Sequence, residues 1–188
     1  MLYIKRLFGF LVVTGLVSCA VDDIKDEDSA FYSVPVGSSL ELKQDVTIPG
    51  NQVSVYVQDG KLMPYREVNK YQPNCKFEVY KISEQPRTVH ADTFEIIKVE
   101  DDIESSSLKS NTQIAALGGV TGAGHFALGL DRSEVFNYAT LMYLNSEKQK
   151  DVYRMTCQHW ESVMDDRHLS VTQMRQAMGD VFTLKIKE

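Results

Sequence analysis

The chain has 188 residues, of which 43% are hydrophobic and 24% are charged, and its formal net charge is −6. This length fits one domain that can bury a hydrophobic core. The negative charge argues against a nucleic-acid partner, because an acidic surface gains nothing from phosphate backbones and no basic cluster in the chain compensates for it.

The N-terminus has the three parts of a secretory signal. Lys5 and Arg6 precede an apolar run over residues 7–17, and small residues then lead to Cys19. The run is shorter than the roughly 20 residues that a membrane-spanning helix needs. We therefore expect residues 1–18 to be cleaved off, and the loss of two cations would lower the net charge from −6 to −8.

The residues before the cleavage point, Leu16-Val17-Ser18-Cys19, resemble the lipobox of bacterial lipoproteins. The resemblance implies that Cys19 becomes the first mature residue and carries acyl chains that hold the protein in a membrane. Ala20 implies the outer membrane, with the domain facing the periplasm. Two alternatives remain open, a secreted soluble protein in which Cys19 is incidental and an uncleaved N-terminal anchor.

Residues 19–39 are predicted to form a flexible tether. This segment is acidic at first and is then interrupted by Ser33, Pro35 and Gly37, a composition that buries little apolar surface. The folded domain is predicted to begin near Leu40 and to extend to residue 188.

The first half of the domain is predicted to be antiparallel β-structure. Val53, Val55 and Val57 alternate with polar residues, which is typical of a half-buried strand. Asp59-Gly60 favours a tight hairpin after it. Two more strands are predicted at residues 75–82 and 93–99.

A loop is predicted at residues 101–131, where periodicity is lost and serines and glycines accumulate. Because it also contains several apolar residues, we expect it to be poorly protected and to contact a partner. Residues 138–145 and 152–160 then predict a second hairpin.

The C-terminus predicts one short helix followed by a strand. Ser170 and Gln173 form a capping box, and Gly179 suits the position that ends a helix. Residues 182–186 alternate again. With six to eight short strands, the mainly β fold is predicted to be an antiparallel β-sandwich or open barrel with one short C-terminal helix.

Cys75 and Cys157 are predicted to form a disulfide. Both lie on the apolar side of a strand pattern, and an exported protein meets an oxidising compartment. Closing a loop of about 80 residues would stabilise the fold by roughly 4 kcal/mol. A redox-active thiol is the alternative, although neither cysteine has a Cys-x-x-Cys neighbour.

The candidate ligand residues are His90, Asp92, His159 and Trp160. No histidine falls in a metal-ligand pattern, and no nucleophile, phosphate-loop or cofactor motif is present. The leading hypothesis is a non-enzymatic interaction or structural module that contacts the membrane through Cys19 and binds an envelope protein. The alternative is an envelope hydrolase or metal-binding protein that uses His90, Asp92 and His159.

Overall fold

The fold is given by a computed structural model that describes residues 26–106, 135–162 and 167–187. Its elements, in chain order, are β1 (Ser39–Leu42), β2 (Val46–Ile48), β3 (Ser54–Gln58), β4 (Lys61–Met63), a 3-10 turn (Tyr65–Glu67), β5 (Asn74–Val79), β6 (Arg87–Val89), β7 (Asp92–Ser106), β8 (Val135–Asn145), β9 (Val152–Ser162), α1 (Val171–Met178) and β10 (Phe182–Lys185).

Eight of the strands form one antiparallel sheet in the order β10-β1-β7-β8-β9-β5-β3-β4, and β2 and β6 pair separately. The large sheet curls into a half-barrel, with α1 packed against it. This architecture confirms the predicted mainly β fold with one C-terminal helix. Among the described residues, no helix has the length and apolar character needed to cross a membrane.

The two sides of the sheet differ because strand side chains alternate between them. We call the side that packs against α1 the inner face and the opposite side the outer face. Cys75, Phe77 and Met155 are fully buried on the inner face, together with Met174 and Met178 of α1. The outer face carries the intervening, mostly polar residues. The hydrophobic core therefore lies between the inner face and the helix.

The predicted ends of α1 are confirmed. Ser170 Oγ accepts a hydrogen bond from Gln173 N at 3.3 Å, and Gln173 Oε1 accepts one from Ser170 N at 2.9 Å, which completes the capping box. Gly179 has a φ of +53°, and a Cβ atom there would lie 2.4 Å from the Cα of Gly60. The tight turn between β3 and β4 is thus seated directly against the end of the helix.

The domain begins earlier than the sequence predicted. Within the expected tether at residues 19–39, Val34 is buried in the core. Val171 N donates to Glu27 O at 3.0 Å, and the Glu27 carboxylate pairs with Arg175. The acidic segment is ordered because it pairs with the helix more than 140 residues later. Residues 19–25 lie outside the described residues, as do the signal peptide and Cys19.

The predicted loop at residues 101–131 begins as strand. β7 continues to Ser106 and pairs with β8 along its whole second half. This pairing satisfies the backbone although the local sequence, rich in acids and serines, has no apolar alternation. The contact proposed for the rest of the loop falls on residues 107–131, which lie outside the described residues.

Candidate functional site

His90 and Asp92 lie at the β6–β7 turn, where the side chain of each contacts a neighbouring polar side chain. His90 Nδ1 is 2.9 Å from Asp45 Oδ2. Asp92 accepts a hydrogen bond from Ser146 Oγ at 2.7 Å. Burial raises the pKa of Asp92, but hydrogen bonds from two side chains and a backbone amide outweigh it and lower the pKa below its usual value. Both side chains therefore stabilise turns through these contacts.

His159 and Trp160 are neighbours on β9, so they project from opposite faces of the sheet. His159 is buried on the inner face, with Nε2 3.0 Å from Arg167 O. Its cross-strand partner is Tyr138, which lies seven residues along β8 from Asn145, beside the turn that holds Asp92. At the usual rise of a strand this separation is roughly 23 Å.

The four predicted ligand residues are consequently not assembled into one site. His159 is far from His90 and Asp92, and Trp160 faces the other side of the sheet. No cluster of three or more histidine, cysteine or acidic residues that could hold a metal occurs in the described parts of the chain. The predicted hydrolase or metal site that combines His90, Asp92 and His159 has no geometric basis here.

Cys75 and Cys157 are directly opposite each other on β5 and β9. Their sulfur atoms are at bonding distance, 2.06 Å, and their Cα atoms are 4.0 Å apart. Both side chains are buried in the core. The predicted pairing is confirmed, and its position among core side chains favours a structural rather than a redox role.

Trp160 leads to a different site, a cleft of about 190 Å³ on the outer face. The strand register builds it from cross-strand rows. Glu104, Asn137 and Trp160 form one row across β7, β8 and β9. Gln158 and Asn74 continue the next row onto β5. The remaining lining residues are Tyr56, Tyr65, Val68, Lys70 and Lys76.

Aromatic rings and one lysine form the wall of this cleft. The ring centroids of Tyr56 and Tyr65 are 5.3 Å apart. Lys70 Nζ lies 5.0 Å from the Tyr65 centroid and 5.9 Å from that of Trp160, within the range of cation–π attraction. Trp160 N also donates to Lys70 O at 2.8 Å. The lysine therefore lies close to both aromatic rings.

The segment that carries Tyr65 and Lys70 is fixed by Gln58, the buried last residue of β3. Gln58 Nε2 donates to Asn69 O at 3.0 Å and to Pro73 O at 3.2 Å, and its Oε1 accepts from Asn69 N at 3.0 Å. The Gln58 side chain thus satisfies three backbone groups of the loop, which would otherwise need hydrogen bonds to water. Gln58 positions the aromatic wall without lining the cleft.

Two asparagines line the cleft with unused hydrogen-bonding capacity. Asn74 is 1% exposed and Asn137 is 8% exposed. Asn74 Nδ2 donates to Gln158 O at 3.1 Å, and Asn137 Nδ2 donates to Gln158 Oε1 at 3.2 Å. Neither Oδ1 atom has a hydrogen-bond partner among the described residues. A buried acceptor left in this state costs about 1–3 kcal/mol.

The charged groups of the cleft differ in whether they form ion pairs. Lys76 Nζ lies 3.1 Å from Glu78, whereas Lys70 and Glu104 form no ion pair with any residue that the structure describes. Burial, with smaller contributions from Tyr65 and Glu78, raises the pKa of Tyr56 to about 12. The cleft presents donors, acceptors and apolar ring faces together.

Comparison of the chain with protein-family models, with curated proteins and with solved structures gives no match. Sequence reasoning identified Trp160 but missed Asn74, Asn137 and Lys70. The available signal was the alternation on β5 and β9, which places amides on the face opposite the cysteines.

Proposed function

We propose that this protein is a lipid-anchored module of the bacterial envelope that binds another envelope component through the outer-face cleft, without catalysis. The observation that carries the proposal is the pair of buried, unpartnered acceptors on Asn74 and Asn137 beside an aromatic wall. Nearly all buried polar groups in folded proteins find a partner. Of the five buried side-chain atoms that lack a partner among the described residues, the two oxygen acceptors both lie in this cleft, which favours a ligand that supplies the missing donors.

The side chains of the cleft support binding rather than chemistry. Glu104 is the only carboxylate among the described lining residues, and no histidine or cysteine lines the cleft with it. General acid–base or nucleophilic catalysis needs a second group within hydrogen-bond reach of the first. Amides, aromatic rings and a lysine are instead the groups that orient a bound ligand.

The cleft can be tested by photocrosslinking in intact bacteria. A benzophenone amino acid replaces Tyr65, which is 52% exposed at the cleft, or Tyr80, which is 57% exposed beyond the other end of β5. We expect a crosslink to an envelope component from position 65 only. Adding Asn137→Leu should markedly reduce that crosslink. Equal crosslinking from both positions, or none from position 65, would contradict the proposal.

The anchor is proposed from the lipobox resemblance and is tested separately. Cys19→Ser should abolish incorporation of a labelled fatty acid and release the protein from the membrane fraction, because the thioether needs the Cys19 sulfur. Two or more acyl chains hold a protein firmly in a bilayer, whereas a protein without acyl chains is not retained there. Ser18→Ala retains the acceptor cysteine and serves as the matched control. An unmodified Cys19 in the wild-type protein would refute lipidation.

A further inference from the structure

We infer that the ligand of the outer-face cleft is a single saccharide ring, presented by a glycan of the envelope. The inference rests on the proposed function and names the chemistry of its ligand. The unpartnered polar groups of the cleft require a small molecule that supplies several hydrogen-bond donors and at least one acceptor.

The acceptors come first. Asn74 and Asn137 each offer one buried carbonyl oxygen without a partner among the described residues, and their amide nitrogens are already used by Gln158. A ligand must therefore bring hydrogen-bond donors to the cleft. Hydroxyl groups meet this need, because each one donates a hydrogen bond and accepts others through its lone pairs.

The donors of the cleft are complementary to the same ligand. Lys70 Nζ carries three N–H donors and forms no ion pair with a described residue. A hydroxyl or acetamido oxygen can accept from it. Glu104, on the same wall as Asn137 and Trp160, is an acceptor for a further hydroxyl. The combined pattern of donors and acceptors matches a polyol rather than a purely apolar ligand.

The aromatic wall suits the apolar face of a sugar. A pyranose ring has a face of C–H bonds, and the negative face of an aromatic ring attracts such partially positive hydrogens. Tyr65 and Trp160 both have their rings within 6 Å of Lys70 Nζ, at 5.0 and 5.9 Å from the ring centroids. A saccharide can stack its C–H face on one ring while its hydroxyls reach the lysine and the amides.

Size and charge narrow the ligand further. The cleft volume of about 190 Å³ lies below the roughly 300–1,000 Å³ of pockets that enclose drug-sized ligands. One ring fits this scale, with the remainder of a glycan outside. Lys70 and Glu104 have opposite charges, and the chain as a whole carries −6. A polyanionic ligand is disfavoured by that overall charge.

The bound sugar should be held and not cleaved. Glycoside hydrolysis ordinarily needs two carboxylates that flank the scissile bond. Glu104 has no second carboxylate beside it in the described lining. Glu78, the nearest acid on β5, is occupied by Arg154 at 2.5 Å and Lys76 at 3.1 Å. The described lining of the cleft therefore supplies only one of the two carboxylates that a glycosidase uses.

Trp160 allows a direct test, because it is the only tryptophan in the chain. The full chain in a detergent without sugar groups is titrated with N-acetylglucosamine, methyl glucoside and methyl galactoside while Trp160 fluorescence is recorded. We expect a saturable change with at least one saccharide. Asn137→Leu and Lys70→Met should each weaken binding about tenfold, since each removes about one hydrogen bond. Tyr80→Ala should leave the affinity unchanged.

The outcomes separate this inference from the proposed function. Lys70 is exposed, so Lys70→Met should fold even if Asn137→Leu does not, and the unfolding midpoint of each variant verifies this. Adenosine and uridine serve as flat, aromatic probes. If only a nucleoside binds, or if position 65 crosslinks in cells while no saccharide binds, the saccharide inference is wrong and the binding function stands. If neither crosslinking nor titration succeeds, both fail.

Discussion

The inner and outer faces of the half-barrel are built from the same strands but have different tasks. On β5, Cys75 and Phe77 are buried in the core, while Asn74 and Lys76 line the cleft on the other side. The inner face is largely apolar where α1 packs against β3, β5 and β10. The outer face combines amides, charges and aromatic rings. The comparison teaches that one strand pattern can supply stability on one side and recognition on the other.

The inner face should dominate stability. Phe77 is 0% exposed, and its ring contacts those of Phe94 and Phe182 at 6.0 and 5.1 Å between centroids. We expect Phe77→Ala to lower the free energy of unfolding by about 3–5 kcal/mol. Tyr80→Ala, on an exposed ring that contacts Tyr153, should cost less than about 1.5 kcal/mol. Urea unfolding compares the two, and equal losses would refute the division between faces.

The disulfide should have the next largest effect. Replacing both Cys75 and Cys157 by alanine opens a loop of 82 residues. We expect a loss of roughly 2–4 kcal/mol, mainly because the unfolded chain gains freedom. A reducing agent applied to the wild-type protein should produce a similar loss. A reduced protein as stable as the oxidised one would show that the bond adds nothing to the folded state.

The smallest expected effect concerns alkaline pH on the outer face. Burial raises the pKa of Tyr56 to about 12 in the folded protein, above its value of 10.0 in a model compound. Stability from this residue is complete below about pH 10 and is lost as the pH rises towards 12, because only the unfolded chain ionises there. Tyr56→Phe should therefore show a smaller loss of stability than the wild type between about pH 9 and pH 11.

Unfolding midpoints at the two pH values measure this difference. An identical pH dependence in the wild type and in Tyr56→Phe would show that the Tyr56 hydroxyl is as exposed in the folded protein as in the unfolded chain. The cleft would then be wetter than its geometry indicates.

Local patterns predicted much of the fold. The alternation around Val55, the Asp59-Gly60 turn and the capping box at Ser170 are decided by neighbouring residues, and the structure has them where expected. The cysteine pair could also be predicted, because two cysteines on the apolar sides of strand patterns leave only one intramolecular pairing. The second half of β7 could not be predicted, because its order comes from pairing with β8, a strand that begins much later in the chain.

The cleft depends on strand register, which a single sequence does not specify. Asn137 and Trp160 are more than 20 residues apart but face each other across β8 and β9, and Asn74 joins them from β5. Their shared surface appears only after three strands are aligned. His90 and Asp92 illustrate the reverse case. These two polar residues are close in sequence and suggested a ligand site, but in the structure they stabilise turns.

The contacts of Glu27 and Asp28 with α1 limit how far the domain can move from its anchor. Only six residues separate Cys19 from Asp26, and the seven Cα–Cα steps span no more than roughly 25 Å even when fully extended. If Cys19 carries lipid, as we propose, the domain is confined to a thin layer at the membrane surface. The chain enters beside the helix, on the inner side of the sheet, so the cleft opens on the side away from that attachment. Glycans beyond this layer would have to reach towards the protein.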